Sequence, residues 1–166
     1  YAEEECTIGT VLVGNDAIYR KLTENSLFFD YVISYSAHLG YDDAGENVAY
    51  AVEKYPQYSG MTGSDEIDHY FAKARITDDM LGGLMQRLET DGLLEDTVIV
   101  AVGDHFPYGI ADRDTLFRLS GVDQYEQLLY RVPCVIWTPG MEPVMVEKVA
   151  GTNDIVPTLV SLMGFG

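Results

Sequence analysis

A short apolar run that ends in an acid and an imidazole constrains this chain more than any other feature. Residues 97–102 have the sequence TVIVAV and are followed directly by Gly103, Asp104 and His105. A run of apolar, β-branched residues predicts a strand that is buried on both faces, and Gly103 and Pro107 allow the chain to bend after it. Sheets covered on both faces belong to α/β domains, so the run predicts that fold class.

Strand and helix patterns alternate along the chain. Three segments rich in β-branched and aromatic residues predict strands, and apolar residues at spacings of three, four and seven predict a long amphipathic helix before the second strand. Ser64 or Asp65 can begin this helix, and Gly92 can end it. The order predicts an α/β domain with a mostly parallel sheet and flanking helices. The predicted strands are residues 28–36, 97–102 and 132–138, the shorter predicted helices are residues 15–25 and 153–164, and the apolar face of the long helix is Ile67, Tyr70, Phe71, Ala74, Leu81, Leu84, Met85 and Leu88.

The composition indicates one globular domain over residues 1–166, because 47% of the residues are hydrophobic. The net charge of −17 argues against binding to nucleic acid or to an anionic membrane surface. The longest apolar runs are far shorter than the roughly 20 residues that span a bilayer, and the start of the chain is unlike a signal peptide, so the chain by itself is expected to be soluble. It begins without Met, which indicates a piece of a longer polypeptide.

The chain has two cysteines, Cys6 and Cys134, and the sequence does not decide whether they form a disulfide. Cys134 is expected to be a small buried hydrophobic residue in its strand.

The polar residues after the second predicted strand suit a metal ion. Adjacent residues of an extended segment point in opposite directions, so Asp104 and His105 reach one ion only if the chain bends. A carboxylate and a neutral imidazole suit Mn²⁺ or Zn²⁺. The alternative, in which Asp104 caps a turn and His105 is a hydrogen-bonded surface residue, stays open. His38 also follows a predicted strand and faces the same crevice if the two strands are neighbours, whereas His69, inside the long helix, is expected to be structural or solvent-facing.

Four segments together resemble the C-terminal half of the extracellular catalytic domain of lipoteichoic acid synthases, which belong to the sulfatase-like branch of the alkaline phosphatase superfamily. The segments are FFDYVISYSAHLGY, IDHYFAKARITDDMLGGLMQRLETDGLLEDTVIVAVGDHFPYGI, RVPCVIWTPG and GTNDIVPTLVSLMGF. The resemblance implies an alkaline phosphatase-like α/β fold, present here as a C-terminal partial domain whose N-terminal half is missing. It also implies a parent protein at the extracellular face of the cytoplasmic membrane, and it favours the metal interpretation of Asp104 and His105.

The resemblance further implies roles for individual residues. Asp104 and His105 match the family's Gly-Asp-His motif, whose two side chains ligate a catalytic Mn²⁺, with Zn²⁺ and Mg²⁺ as alternatives. His38 matches a histidine that contacts the phosphoglycerol head group of the phospholipid substrate. In the parent, a metal-activated Thr attacks a phosphodiester and forms a phospho-threonine intermediate. That Thr and a further metal ligand, a Glu, have no match here, so the chain alone is expected to bind the metal weakly and to be inactive.

Three hypotheses about function follow from the resemblance. The first is a metal-dependent transferase that takes phosphoglycerol from a lipid such as phosphatidylglycerol, the second is a related phosphodiesterase or sulfatase-like hydrolase, and the third is a non-catalytic binding module that keeps the fold. Phe106, Pro107 and Tyr108 precede Gly109 where many family members have one aromatic residue, so the loop is longer here. The strand end lacks the Asp-Asn-Gly of sulfatases and the Ser-Asp-His-Gly-Glu of phosphoethanolamine transferases, which favours the first hypothesis. Without its N-terminal half, the sheet is expected to expose an edge or an apolar face, which predicts self-association.

Overall fold

The computed structural model describes residues 13–25, 27–45, 47–122 and 130–165. Both helices and strands occur, in agreement with the predicted α/β class. The helices are α1 (Asp16–Thr23), α2 (Val48–Lys54), α3 (Asp65–Thr90), α4 (Arg113–Ser120) and α5 (Ile155–Leu162), and the strands are β1 (Ile99–Val102) and β2 (Cys134–Trp137). Among the described residues, no helix combines the length and the apolar character that crossing a bilayer requires.

Helix α3 confirms the long amphipathic helix. Its first turn contains three acidic residues, which suit the positive end of the helix dipole. It ends just before Gly92, whose φ of 71° is left-handed and therefore favours glycine. Ile67 and Leu88 of the predicted face are buried, but the buried stripe also includes residues that the apolar spacing missed. These are Asp68, Ala72, Lys73, Ile76 and Met80.

Helix α1 confirms the predicted helix in residues 15–25. The side-chain oxygen of Asn15 caps it by accepting the backbone N–H groups two and three residues later, at 3.0 and 3.4 Å. Arg87 of α3 holds this helix, because its guanidinium donates to the carbonyl of Val13 at 2.7 Å and lies 3.9 Å from the ring centroid of the buried Tyr19.

Strands β1 and β2 pair antiparallel, so the described residues do not confirm the prediction of a mostly parallel sheet. The register aligns Ile99 with Trp137 and Val102 with Cys134. The described part of the connection between the strands packs against the start of α3, and β2 begins beside the end of β1, since Cys134 aligns with Val102. A chain that returns to the end of the sheet from which it left continues antiparallel. The two strands themselves are confirmed close to their predicted positions.

Cys134 is exposed in β2, so the prediction that it is buried is wrong. The two-stranded sheet leaves this end of the strand uncovered, and the neighbouring Val135 is 53% exposed as well. Cys6, the other cysteine of the open disulfide, lies outside the described residues.

Residues 28–36 do not form the predicted strand. Their apolar side chains are exposed, among them Phe29 at 87% and Tyr31 at 81%. A hydrogen bond of 3.2 Å between the hydroxyls of Ser34 and Thr77 ties the segment to α3. The preference of a residue for strands reflects packing against neighbouring strands more than the backbone itself, and among the described residues no strand pairs with this segment.

Helix α5 confirms the predicted helix in residues 153–164. It follows a 3₁₀ turn, Thr152–Asp154, and Pro157 is its third residue, in the first turn where a proline needs no N–H partner. The helix keeps an exposed apolar surface, since Val156 is 67% and Leu162 is 61% exposed.

In the part of the chain that the structure describes, two clusters of buried side chains pack on α3. One joins residues of α2 and the following turn to α3 through Ala51, Tyr55, Ala72 and Ile76. The other, called the loop cluster below, has Tyr41, Ile67 and Ile110 at its centre, with Leu39, Tyr70, Phe71 and Leu116 packed against it. The loop cluster joins the loops that carry the predicted site residues.

Candidate metal and substrate site

Asp104 and His105 lie together directly after β1. Gly103 continues the strand ladder by donating its N–H to the carbonyl of Pro133 at 3.0 Å, and the chain then bends. The bend turns both side chains to one side, so that Oδ2 of Asp104 lies 3.6 Å from Nε2 of His105. Solvent reaches 85% of the Asp104 side chain and 40% of the His105 side chain. The two groups can therefore approach one ion from solvent.

The hydrogen bond of His105 leaves its Nε2 available as a ligand. Nδ1 lies 2.9 Å from the carbonyl oxygen of Phe106. Because a carbonyl only accepts, we assign the hydrogen to Nδ1, and the lone pair of the neutral ring then belongs to Nε2 on the side of Asp104. Metal-ligating histidines commonly donate their other N–H to a carbonyl in this way.

Hydrogen bonds to α3 and α4 fix the loop that follows the pair. The Glu66 carboxylate accepts the N–H groups of Ala111 at 2.8 Å and Asp112 at 3.0 Å. Asp112 caps α4, since its Oδ1 accepts the N–H of Thr115 at 3.1 Å, and the hydrogen bond from this backbone holds the pKa of the Asp112 carboxyl below its ordinary value. The capping carboxylate at α4 is therefore Asp112 and not Asp104.

Aromatic rings and an arginine pack beside His105. The ring of Tyr108 lies 4.7 Å from the imidazole, and Phe106 meets Tyr130 edge-on at 4.7 Å. Arg113 donates to the carbonyl of Tyr108 at 3.0 Å. The residues that lengthen this loop therefore pack on one another and on α4, which gives the loop a defined shape next to the acid–imidazole pair.

His38 follows the extended segment and is oriented by its own loop. Its Nδ1 lies 2.8 Å from the carbonyl oxygen of Leu39, so the hydrogen belongs to Nδ1 and Nε2 is left as an acceptor. The ring stacks on Tyr35, with the centroids 4.4 Å apart and the planes 11° from parallel. The imidazole is thus held on one face and stays partly exposed.

The loop that carries His38 contacts the loop that carries His105. Both contribute to the loop cluster, and a Cβ added to Gly109 would lie 3.0 Å from the Cβ of Leu39. Glycine at this position therefore permits the close approach. The structure brings together the loops of all three predicted site residues, while their roles in metal and substrate binding stay predictions.

Tyr41 connects the two loops electrostatically. Burial, followed by the negative charge of neighbouring groups that include Asp104, raises the pKa of Tyr41 to about 12. The hydroxyl therefore keeps its hydrogen and donates to the carbonyl of Ala37 at 3.1 Å. Asp104 is therefore among the groups that raise the pKa of a residue in the His38 loop.

Two polar residues of α3 hold the His38 loop, and the sequence pattern singled out only one of them. His69 places Nδ1 2.7 Å from the carbonyl oxygen of Tyr41, which is a structural contact of the kind predicted. Lys73, one turn later, donates to the carbonyl of His38 and was not predicted to matter. The apolar spacing of the helix gives no signal for it, because position 73 lies outside the predicted apolar face and lysine is rarely buried.

The acid–imidazole pair offers two ligands to a cation. Among the described residues, no group of three or more His, Cys, Asp or Glu side chains could hold a metal ion. One carboxylate oxygen and one imidazole nitrogen fit part of the donor set of Mn²⁺, Zn²⁺ or Mg²⁺. The residues present therefore fit part of a metal site.

Comparisons with known proteins agree with the resemblance stated above. The family described as Sulfatase matches residues 16–165. The chain is 33% identical over 112 residues to lipoteichoic acid synthase 2 of Bacillus subtilis, a match that covers 64% of this chain and 17% of that protein. It is 30% identical over 147 residues to lipoteichoic acid synthase of Staphylococcus saprophyticus, which covers 85% and 21%, respectively.

A third relative comes from the sulfatases. The chain is 31% identical over 96 residues to arylsulfatase K of Bos taurus, a match that covers 57% of this chain and 17% of that protein. In all three comparisons the matched region spans about a fifth of the relative's length. No solved structure matches the chain.

Proposed function

The chain belongs to the sulfatase family, and from this membership we propose that it is the C-terminal part of the catalytic domain of a metal-dependent phosphoglycerol transferase. The similarity to two lipoteichoic acid synthases supports this type of enzyme. The observation that carries the proposal is the pairing of Asp104 with His105 at a strand end, on a loop in contact with the loop of His38. The parent protein acts at the extracellular face of the cytoplasmic membrane.

Asp104 and His105 are the residues of this chain that would hold the cation, which is Mn²⁺ in the proposal. A bound divalent cation stabilises negative charge on the phosphoryl group that is transferred. The carboxylate would supply an oxygen and the imidazole would supply Nε2, and the hydrogen bond from Nδ1 to the carbonyl of Phe106 orients the ring. Two protein ligands give weak binding, and the remaining ligand and the Thr nucleophile belong to the rest of the catalytic domain.

His38 is the residue of this chain that would contact the phosphoglycerol head group. With its hydrogen on Nδ1, the neutral ring presents Nε2 as an acceptor for a glycerol hydroxyl. When the ring is protonated, the same nitrogen donates to a phosphate oxygen. The stacking of the ring on Tyr35 limits both interactions to one direction.

Removal of either predicted ligand is expected to weaken Mn²⁺ binding to the chain by about 10-fold or more. The variants are Asp104→Asn and His105→Ala, and the affinity is measured by electron paramagnetic resonance of free Mn²⁺ during titration. Because the chain has a net charge of −17, cations also accumulate without a site. Asp114→Asn is the matched control, since it removes an exposed carboxylate from the first turn of α4.

The control is expected to bind Mn²⁺ as the unmodified chain does. Equal affinity in all four proteins would contradict the site. Tight binding of one Mn²⁺ per chain would contradict the claim that ligands are missing.

The similarity to arylsulfatase K favours a hydrolase as the second candidate function. The protein encoded by the complete reading frame separates the two when it is supplied with phosphatidylglycerol and Mn²⁺. A transferase releases diacylglycerol and attaches the phosphoglycerol to an acceptor hydroxyl, whereas a hydrolase releases diacylglycerol and free glycerol phosphate. Release of neither product, with no dependence on Mn²⁺, would support the binding module instead.

A further inference from the structure

Lys73 is a buried cation at the centre of α3. Its exposed fraction is 1%, and its Nζ donates to the carbonyl of His38 and, at 3.2 Å, to the carbonyl of Gly40. The ammonium group also lies 5.3 Å from the ring centroid of Tyr41. One side chain of the helix therefore contacts three residues of a four-residue loop.

His69 completes this contact one helical turn earlier. Its Nδ1 lies 2.7 Å from the carbonyl oxygen of Tyr41, and its side chain is only 11% exposed. Residues four apart lie on the same face of a helix, so His69 and Lys73 together bind the carbonyls of His38, Gly40 and Tyr41. Three of the four carbonyls in residues 38–41 thus point at α3.

The loop also folds back closely on itself. Gly45 donates its N–H to the carbonyl of Asp42 at 2.8 Å, and a Cβ added to Gly45 would lie 2.7 Å from the carbonyl carbon of Gly40. Only glycine fits at this distance. The hydrogen bonds from α3 and the close approach of Gly45 to Gly40 therefore both restrain the loop that begins with His38.

Burying a lysine side chain only to fill a volume would be unfavourable. Removing an ammonium group from water is unfavourable unless acceptors replace the lost hydration, and an apolar side chain of similar length would fill the same volume without that cost. The carbonyls of His38 and Gly40 supply such acceptors. The position of Lys73 is therefore suited to holding the loop backbone, and the first carbonyl it holds belongs to His38.

We propose that Lys73 is a positioning residue for His38. Lys73 fixes the peptide group that follows His38 and thereby orients the imidazole toward the head group. Lys73 holds the carbonyl of His38, and the imidazole Nδ1 binds the next carbonyl, that of Leu39. The two bonds restrain the peptide and the ring together. The inference rests on the proposed function, because it gives His38 the role of binding phosphoglycerol.

The test uses the chain with Lys73→Met, which keeps the length of the side chain and removes the cation. Lys54→Met is the matched control, since Lys54 contacts Asp79 and the rings of Tyr50 and Tyr55. The ring ¹⁵N and ¹³C signals of His38 are followed by NMR, assigned with His38→Gln, while glycerol 1-phosphate is added as the probe. We expect Lys73→Met to shift the His38 ring signals before any addition and to weaken binding of the probe by about 10-fold, because hydrogen bonds from a charged group are lost. Lys73→Arg is expected to restore part of the affinity, and Lys54→Met to change neither the ring signals nor the affinity.

The two readouts separate this inference from the proposed function. Unchanged His38 signals and unchanged affinity in Lys73→Met would overturn the positioning role. If the probe does not bind the unmodified chain while the ring signals still shift in Lys73→Met, the positioning role stands and the proposed function fails. If Lys73→Met does not fold, the exchange of the Lys73 ammonium protons with water is measured by NMR in the unmodified chain. Slow exchange, together with contact between the ammonium group and the His38 carbonyl, would support the proposal. Rapid exchange would overturn it.

Discussion

An Ile110→Ala variant is expected to lose about 3 kcal/mol of its free energy of unfolding, because the substitution leaves a cavity at the centre of the loop cluster. Ile110 is 1% exposed and packs with Tyr41 and Ile67. Its neighbours belong to the His38 loop, to α3 and to α4, so the surroundings can collapse only if several elements move together. Urea denaturation followed by circular dichroism at 222 nm measures the change.

Ile33→Ala is the matched control for Ile110→Ala. It deletes the same atoms from a side chain that is 66% exposed, so its expected effect is within about 0.5 kcal/mol. A loss below about 1 kcal/mol for Ile110→Ala would show that the loop cluster contributes little to stability. The contact between the loops of His38 and His105 would then need another explanation.

The parts of the fold that local pattern determines were predicted from the sequence. Helix α3 repeats its apolar residues over 26 residues, and Gly92 ends it with a left-handed conformation. Strands β1 and β2 combine β-branched residues with flanking Gly and Pro. In these elements each residue favours the same structure as its neighbours, so the local sequence is sufficient to predict the element.

The predictions that are wrong or unconfirmed depend on partners far along the chain. Residues 28–36 have the composition of a strand, but a strand needs a neighbouring strand, and the described residues provide none. The sheet was expected to be parallel because helices and strands alternate. The described chain after β1 contacts Glu66 and the loop cluster, and β2 begins beside the end of β1, so this one pair is antiparallel.

In the candidate site too, features set by local sequence were predicted, and features that depend on distant residues were not. The adjacency of Asp104 and His105 follows from sequence, and the bend at the strand end was predicted from Gly103. The contact between the loops of His38 and His105 depends on Leu39 and Gly109, which apolar patterning does not reveal. Lys73 was missed because a lysine on a helix is usually solvent-exposed, whereas here its buried ammonium group donates to backbone carbonyls of the His38 loop.

An Asp68→Ala variant is expected to lose about 3 kcal/mol of its free energy of unfolding. Asp68 is 2% exposed, and its carboxylate accepts the N–H of Met61 at 3.0 Å, the N–H of Thr62 at 3.0 Å and the Thr62 hydroxyl at 2.7 Å. Bonds to an ionised acceptor are stronger than neutral ones, and their donors lose their partner when the carboxylate is removed. The loop before α3 therefore loses its main attachment.

The loss of Asp68 also reaches α4, because Arg118 donates to the carbonyl of Thr62 at 3.1 Å. Asp65→Ala is the matched control: it removes an exposed carboxylate from the same first turn of α3, where the helix dipole makes it worth about 0.3–1 kcal/mol. Asp68→Asn is expected to fall between the two variants, since an amide keeps one acceptor oxygen but places N–H groups against a donor. Equal stabilities of Asp68→Ala and Asp65→Ala in urea denaturation would mean that the Asp68 carboxylate acts through the dipole alone, and that the hydrogen bonds to residues 61 and 62 do not hold the loop.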